Sequence, residues 1–493
     1  MHADIKRMLF LIALWFVLIV PGCSGGGGSG SNNNSNGGGN PPPQGQTSPM
    51  WNPVVQLGAN TGYVDINNRN AVRTSAGVVY LVSINTPQTS NSGGQVQIFK
   101  GATSGSPTSF ALMDAGHEPN CAFRASAAEV RMAGDNVAQV AFDCGTSSSA
   151  GYAGYVQFNT ATDTWGTIET VGSYSNPNIR RYESKLAMAV DAHGKPHVIW
   201  GPYGGTTYYS NKVSATWSTA FGFNNGNWRA SVQFDSAGDL HIAMLGDTSM
   251  PYYQRTAAGT WIGPETIAST SDDYDSGGGL VDSGPSLVID KQGRPNVSWT
   301  GAEPNVYTYI RRRNGTTWES VTMPNGAGTV SGHSPSLNVD TAGNLYVILG
   351  HQGPGTLQTN LQPHVQWRNE LTQSWDSTFA ALATTPPGPD RDGGGGGRYD
   401  AIWRGSTNDL DYVTMVEDPN GGGQLAYIHG TSAVLSSSGA AGPGFSTAVT
   451  ARFLPIWGLV ITPGIVLCGV IYRSRVVGKI LRSAKAEIPK HIA

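Results

Sequence analysis

Arginines, tyrosines, a histidine and carboxylates stand just before successive short apolar runs of this chain. Only 13% of its 493 residues are charged, so these residue types are more concentrated at equivalent positions than chance would place them. The residues are Arg69, Arg124, Arg181, Tyr182, Glu183, Trp228, Arg229, Asp282, His333, Arg398, Tyr399 and Asp400. Because each precedes an equivalent run, we expect them to surround the mouth of one site.

Three of the arginines predict an acidic ligand. A guanidinium group binds a carboxylate through two parallel hydrogen bonds, so Arg69, Arg229 and Arg398, converging from separate elements, would hold an acidic sugar. A lyase could also act there, since arginine would neutralise a uronate while a histidine or tyrosine removed the proton at C5. His333 and Tyr182 are the candidates for that proton transfer.

A repeated pattern defines the elements that must position these residues. A short apolar run ends in Asp, Gly follows three residues later, and a second apolar run begins, around Asp191, Asp235, Asp290 and Asp340. The copies are 44, 55 and 50 residues apart, which leaves room for about four short strands each and is typical of β-propeller blades. In each copy Gly supplies a positive φ and Asp accepts hydrogen bonds from the turn backbone.

Counting this turn along the chain predicts an all-β protein, a seven-bladed β-propeller over residues 51–440. The turn glycines are Gly77, Gly134, Gly194, Gly238, Gly293, Gly343 and Gly405. Six or eight blades remain alternatives because the outer copies are degenerate. Residues 54–57 are predicted to form the outermost strand of the last blade, next to residues 424–429 and 433–436, since a closed ring removes exposed sheet edges.

A second pattern, a small-residue turn followed by tryptophan, ends at Trp165, Trp261, Trp318 and Trp375. Together with the Asp-x-x-Gly hairpins, these segments resemble eroded Asp-boxes of the sialidase-type, BNR-like propeller superfamily found in bacterial surface lipoproteins. The resemblance covers residues 52–440 and implies that the turn-and-Trp segments are structural. It also implies an arginine cluster, a tyrosine activated by glutamate and an aspartate acid/base. The nearest residues of those types are Arg69, Arg229, Arg398, Tyr182, Glu183 and Asp282 or Asp400.

Both ends of the chain have sequences typical of export and membrane attachment. Residues 1–23 have a basic start, an apolar run and Cys23, and they resemble a lipoprotein signal peptide with Cys23 as the lipidated residue. An ordinary cleaved signal or a short anchor is the alternative. Residues 24–50 are rich in Gly, Ser, Asn, Pro and Gln, which predicts a disordered tether.

After a linker at residues 441–452, residues 453–472 are uncharged and predict either a transmembrane helix or a sorting tail that is removed. The basic residues 473–493 are then expected to lie in the cytoplasm. The protein is predicted to be exported and membrane-anchored, facing the periplasm or the cell exterior. The sequence leaves open which end is the lasting anchor.

The charge of the chain disfavours one class of partner. Without residues 1–23 and 473–493, 22 basic and 31 acidic residues remain, a net charge of about −9. Such a surface repels phosphate backbones, so we expect no nucleic-acid binding.

Two cysteines predict a disulfide, and the remaining pattern predicts no cofactor. Cys121 and Cys144 flank the hairpin whose turn lies near Gly134, so we expect them to face each other at its open end and to form a disulfide in an exported domain. An acidic loop offers oxygen ligands for Ca²⁺ at Asp272, Asp273 and Asp275. Its spacing does not match an EF-hand, so a solvated loop is the favoured interpretation.

These observations favour a cell-envelope propeller that binds a glycan or a cell-surface protein through its channel face. The alternative is a sialidase-like glycoside hydrolase or a polysaccharide lyase that acts on acidic sugars. The sequence does not decide whether the protein is an enzyme.

Overall fold

The structure, a computed structural model, consists of seven antiparallel sheets arranged as the blades of a β-propeller. It describes residues 50–53, 55–57, 69–85, 93–147, 149–175, 186–202, 205–223, 229–246, 248–269, 284–301, 307–324, 332–340, 342–351, 362–370, 372–376, 380–381, 400–403, 409–417 and 423–431. Within these ranges all regular structure is strand. The predicted fold class and the count of seven blades are confirmed.

The strands follow the ring in chain order, except that the first two, β1 (Met50–Trp51) and β2 (Val55–Gln56), belong to the last blade. Blade 1 contains β3 (Ala71–Arg73), β4 (Val79–Asn85), β5 (Gly94–Gly101), β6 (Phe110–Leu112) and β7 (Asn120–Cys121). Blade 2 contains β8 (Arg124–Met132), β9 (Val137–Ser147), β10 (Ala150–Asn159), β11 (Thr164–Trp165) and β12 (Glu169–Ser175). Blade 3 contains β13 (Ala187–Val190), β14 (Pro196–Trp200), β15 (Tyr208–Val213), β16 (Thr216–Trp217) and β17 (Phe221–Gly222).

Blades 4 to 6 have the predicted four strands, and blade 7 is completed by β1 and β2. Blade 4 contains β18 (Ala230–Phe234), β19 (Leu240–Met244), β20 (Ser249–Arg255) and β21 (Trp261–Ser269). Blade 5 contains β22 (Ser286–Ile289), β23 (Pro295–Thr300), β24 (Thr308–Asn314) and β25 (Thr317–Trp318). Blade 6 contains β26 (Gly332–Val339), β27 (Leu345–His351), β28 (Gln362–Arg368) and β29 (Ala380–Ala381). Blade 7 adds β30 (Asp400–Trp403), β31 (Asp409–Glu417) and β32 (Gly423–Thr431).

The Asp-x-x-Gly hairpins form as the sequence predicts. In blade 3, Oδ1 of Asp191 accepts hydrogen bonds from the backbone N–H groups of His193 at 2.9 Å and Lys195 at 2.8 Å. Gly194 has a φ of +75°, a conformation that glycine adopts without steric cost. Oδ1 of Asp235, Asp290 and Asp340 accepts the equivalent backbone hydrogen bond in each of the next three blades. The seventh predicted turn, near Gly405, lies outside the described residues.

The core lies between neighbouring blades. The second strand of a blade is covered on both faces: all five residues of β14 and all five of β19 are buried. One apolar cluster joins Ile199 of blade 3 to Val232 and Ile242 of blade 4. Burying both faces favours continuous apolar runs over alternating ones, which explains the second run in each repeat.

The edges of the innermost strands are hydrogen-bonded by side chains from the preceding blade. Oγ of Ser231 in blade 4 accepts from the N–H of Leu287 in blade 5 at 3.1 Å. Oγ of Ser286 in blade 5 accepts from the N–H of Leu337 in blade 6 at 2.9 Å. Because buried backbone N–H groups need partners, these contacts fix blade 5 against blade 4 and blade 6 against blade 5.

Outer tryptophans pack against the preceding blade and have a structural role there. Trp318 of blade 5 meets the ring of Tyr252 in blade 4 edge-on at 5.2 Å, and the guanidinium of Arg313 lies 5.2 Å from the same ring. Glu265 of blade 4 completes the group, with Oε1 2.8 Å from Nη2 of Arg313. The same arrangement joins blades 2 and 3 through Tyr155, Glu169, Lys212 and Trp217.

The ring is closed by the beginning of the described chain. β2 pairs antiparallel with β32, with Val55 opposite Tyr427, and β1 pairs with the same strand, with Trp51 opposite Gly430. The predicted closure by residues 54–57 against residues 424–429 is therefore confirmed, whereas residues 433–436 lie outside the described residues.

Cys121 and Cys144 are joined in a disulfide, but the predicted position of Cys121 is wrong. Cys121 does not belong to the hairpin of blade 2; it lies in β7, where it pairs with Gly94 of blade 1. Cys144 lies in β9 and pairs with Ala125 of blade 2. The bond therefore connects two blades, because β7 returns to blade 1 before the chain enters blade 2.

The terminal predictions, including Cys23, the tether and the helix at residues 453–472, lie outside the described residues. Among the residues that are described, no helix is long and apolar enough to cross a membrane.

Candidate functional site

A cavity of about 490 Å³ lies in the channel, between the innermost strands of blades 1 to 4. Most of its lining comes from residues at the ends of these strands, beside the first-hairpin turns: Arg73, Met132, Val190 and Phe234, with Gly134 and Asp135 of one turn. The cavity thus occupies the half of the channel next to these turns. The sequence analysis expected the site at the opposite end, where the innermost strands begin.

Three arginines line the cavity, and two of them are held by carboxylates of the protein. Nε of Arg73 donates to Oδ2 of Asp411 at 2.7 Å, and both side chains are almost fully buried. Arg131 forms an ion pair with the buried Glu129 of its own strand. These two guanidinium groups are committed to structural pairs.

The third arginine, Arg69, differs from the other two. It is half-buried and lines the cavity, and its backbone carbonyl accepts a hydrogen bond from the N–H of Val130 at 2.8 Å. In the described part of the chain its guanidinium has no hydrogen-bond or ion-pair partner within reach. A guanidinium that faces a cavity without a protein carboxylate is available to an anionic ligand.

The remaining lining is mixed. Asp135 is the one carboxylate among the described lining residues, and the N–H of Ser75 donates to its Oδ1 at 2.7 Å. Gln233 contributes an amide from blade 4, with Val232 and Phe234 beside it. An apolar surface with a few placed polar groups is the usual composition of a small-molecule site.

The predicted site residues are only partly brought together. Arg69 lines the cavity, but Arg229, which precedes β18, is 4% exposed and is not among the described lining residues. Arg124, His333 and Asp400 lie at the beginning of β8, β26 and β30, and their side chains are outside the described part of the structure. The other predicted residues lie outside the described ranges: Arg181, Tyr182, Glu183, Trp228, Asp282, Arg398, Tyr399, Asp272, Asp273 and Asp275.

His197 and His241 are buried, and each contacts a tyrosine and a turn aspartate. Nδ1 of His197 lies 2.7 Å from Oη of Tyr209, and Nε2 lies 3.7 Å from Oδ2 of Asp191. Burial lowers the pKa of His197 to about 4 and raises the pKa of Tyr209 to about 12. Both groups are therefore uncharged at neutral pH and serve the packing of blade 3.

No set of His, Cys, Asp and Glu side chains among the described residues could hold a metal ion. Sequence reasoning missed Arg131 and Gln233, both of which lie two residues before the first residue of their turn. Apolar residues fill the equivalent positions at Val72, Ala189 and Val288. This position lines the cavity in blades 1 to 4 whether the residue is apolar or polar, and the polar Asn338 of blade 6 is buried there, so no local signal distinguished Arg131 and Gln233.

No protein-family model matches the chain, and no curated protein matches it. Among solved structures, an ulvan lyase of a new polysaccharide lyase family is 10% identical, covers 77% of this chain and 95% of its own, and has a TM-score of 0.47. A protein of unknown function from Dyadobacter fermentans is 11% identical, with coverage of 78% and 99% and a TM-score of 0.44. An α-L-arabinanase from Penicillium chrysogenum, complexed with arabinobiose, is 10% identical, with coverage of 77% and 98% and a TM-score of 0.42. Likenesses of this size carry no argument about activity or ligand.

Proposed function

We propose that this protein is a cell-envelope propeller that binds an acidic glycan in its channel cavity, with Arg69 as the residue that recognises the acid. The observation that carries the proposal is the contrast between Arg69 and the other two arginines of the cavity. Arg73 and Arg131 are neutralised by Asp411 and Glu129, whereas Arg69 has no such partner in the described part of the chain.

The size and lining of the cavity support a glycan over a protein partner. About 490 Å³ falls in the range of small-molecule sites, and it suits one or two sugar units rather than a folded surface. Arginine beside apolar walls suits a ring that has a charged edge and C–H faces.

The described lining favours binding over hydrolysis. A glycoside hydrolase needs two carboxyl groups, one on each side of the scissile bond, and the described lining offers Asp135, which is held by Ser75. The enzymatic alternative depends on Tyr182, Glu183, Asp282, His333 and Asp400, whose side chains lie outside the described part of the structure. Formation of reducing ends or unsaturated uronates from a bound oligosaccharide would establish it.

The test is binding of the full-length protein to an array of uronate, sialylated and neutral oligosaccharides. We expect an acidic glycan to bind and its carboxyl-reduced form to bind at least tenfold more weakly. Arg69→Gln should weaken acid binding by about 10- to 100-fold, the value of a charge-assisted hydrogen bond. The control is Lys195→Gln, which removes one positive charge from an exposed position outside the cavity. Equal binding by Arg69→Gln and the wild type would refute the proposal.

A further inference from the structure

Two of the junctions between neighbouring blades bind a carboxylate in the same way. In each, a glutamate of one blade accepts hydrogen bonds from a basic side chain and from the indole N–H of a tryptophan in the next blade: Glu169 with Lys212 and Trp217, and Glu265 with Arg313 and Trp318. The indole hydrogen bond measures 3.2 Å at both junctions. The basic group also lies 5.2 Å from a tyrosine ring of the preceding blade at both. A base and an indole N–H in this arrangement therefore bind a carboxylate.

The junction of blades 3 and 4 has the same base, tryptophan and tyrosine but no glutamate. The guanidinium of Arg255 lies 5.5 Å from the ring of Tyr209, and Trp261 meets that ring edge-on at 5.1 Å. The residue opposite Tyr209 is Phe221, where the other two junctions have glutamate. No hydrogen bond or ion pair joins the side chains of Arg255 and Trp261 to the residues that the structure describes. Both side chains are half-buried, so solvent reaches them.

Phe221 adds an apolar surface beside these two donors. Its ring stacks on Trp261, with 4.6 Å between the ring centroids and 15° between the planes, and 40% of the residue stays exposed. An exposed aromatic ring and an unpaired guanidinium do not stabilise the fold, and the other two junctions show that a glutamate fits this position. A departure from the local rule without a structural gain is typical of a functional surface.

The junction of blades 5 and 6 also lacks the glutamate, but its arginine is not accessible in the same way. Thr322 stands opposite Ile310 there, and Arg368 is the base. Arg368 is 9% exposed, and its Nη2 donates inward to Oδ1 of Asn296 at 3.5 Å. This guanidinium is shielded within the core, whereas the guanidinium of Arg255 stays at the surface.

The surface at blades 3 and 4 lies on the same face of the propeller as the channel cavity. The turn after Arg255 packs against the first-hairpin turn of blade 4, since the N–H of Ala257 donates to Oδ1 of Asp239 at 2.8 Å. Phe234, which lines the cavity, pairs with Leu240, and Leu240 pairs with Arg255. Two strand spacings, about 10 Å, therefore separate the backbone of the cavity wall from that of Arg255.

We propose that Arg255, Trp261 and Phe221 form a rim site for an acidic glycan that extends outward from the channel cavity. Arg255 and the indole N–H of Trp261 bind a carboxylate, and the C–H face of a sugar packs on Phe221. This inference rests on the proposed function and makes the ligand a chain with several carboxylates, one bound by Arg69 and another by Arg255. A second contact on the same chain raises the affinity because its binding becomes intramolecular.

The experiment measures binding of the di- and hexasaccharides of polygalacturonate, alginate and hyaluronan to the full-length protein. For the wild type, we expect at least one hexasaccharide to bind about tenfold more tightly than its disaccharide, the value of one charge-assisted hydrogen bond. Arg255→Gln and Phe221→Glu should remove this gain and leave disaccharide binding unchanged, because the disaccharide occupies the cavity. Arg69→Gln should weaken the binding of both lengths.

Phe221→Glu also separates folding from binding. Its new carboxylate should pair with Arg255 as Glu265 pairs with Arg313, so the variant should unfold at no lower temperature than the wild type while it loses the hexasaccharide gain. Met323→Glu is the matched control, since Met323 is a 44% exposed apolar residue beside blade 5 and acquires the same charge. This control should keep the gain.

The outcomes distinguish the rim site from the proposed function. If saccharides bind but both rim variants keep the wild-type gain, or the wild type shows no gain, the inference falls and the proposed function stands. If no saccharide binds to the wild type, both fall. If polyglutamate binds to the wild type, and the two variants lose this binding rather than the hexasaccharide gain, the surface belongs to an acidic protein and the inference is overturned.

Discussion

The three arginines of the channel cavity show how a residue's surroundings, rather than its type, determine its role. Arg73 reaches Asp411 in blade 7, and Arg131 pairs with Glu129 of its own strand. Since a buried guanidinium needs compensation for lost hydration, these pairs explain why two charges lie close to the channel. Arg69 is half-buried and remains partly hydrated, so it tolerates the absence of a protein carboxylate.

At the same scale, the buried histidines make stability depend on pH. Burial holds the pKa of His197 at about 4, compared with 6.5 for the free group. Between these two values the unfolded chain binds a proton that the folded chain does not. The free energy of unfolding should therefore fall as the pH drops through this window, by at most about 3 kcal/mol for this residue.

We predict that His197→Gln makes the free energy of unfolding less dependent on pH between 6.5 and 4. The substitution removes the proton uptake by the unfolded chain that causes the dependence. Urea unfolding at several pH values measures it, with His193→Gln as the control because His193 is exposed in the same hairpin. Parallel curves for His197→Gln and the wild type would contradict this explanation.

At the scale of elements, the short fifth strand of blade 1 carries the Cys121 end of the disulfide. β7 has two residues and pairs with β5, so few backbone hydrogen bonds hold it in place. The bond to Cys144 attaches this strand to the long β9 of blade 2. Blade 2 also has Ala133 where four other blades have the turn aspartate, so the covalent link holds a hairpin that lacks this aspartate.

Replacing both cysteines by serine should lower the free energy of unfolding by about 3 kcal/mol, the loop-entropy value for a separation of 23 residues. Denaturant unfolding of oxidised wild type and of the double variant measures the difference. The single variant Cys144→Ser is the control. It already breaks the disulfide, so it should lose nearly as much stability as the double variant. A double variant as stable as the wild type would show that the link contributes nothing.

At the scale of the whole molecule, the stability of the ring depends on a small closing segment. β1 and β2 contribute two residues each to the last blade. Leu57 follows them, is 4% exposed, and packs with Val79 of blade 1 and with Leu425 and Tyr427 of blade 7. This side chain therefore connects the first and last blades through the core.

Leu57→Ala should lower the free energy of unfolding by about 2–4 kcal/mol, the cost of a large-to-small change in a core. The matched control is Val213→Ala, since Val213 is 49% exposed and should change the stability by less than about 0.5 kcal/mol. Calorimetry of both variants distinguishes them. Equal stabilities would mean that the ring does not depend on this contact.

The overall charge also bears on the proposed ligand. A net charge of about −9 on the region between the terminal segments repels polyanions. Salt at 0.1 M screens this repulsion beyond about 10 Å. Recognition of an acid must then come from a local group. Arg69 fits that requirement because it lies inside the channel.

The sequence alone determined the features that depend on neighbours along the chain. An Asp and a Gly three residues apart complete the turn at Gly194 and in three further blades, so their spacing revealed the blades and their number. Ring closure followed from the same count, because a propeller with an open edge would leave strand groups unpaired.

The candidate site depended on contacts between residues far apart in the chain. Arg69 and Arg73 are four residues apart and look alike in sequence, but a carboxylate 338 residues away neutralises Arg73, and none of the described residues does so for Arg69. Likewise, Cys121 pairs with Gly94 in blade 1 and not with its expected hairpin. These pairings form when the blades pack against each other. Because the partners are far apart in the chain, no local sequence pattern predicts them.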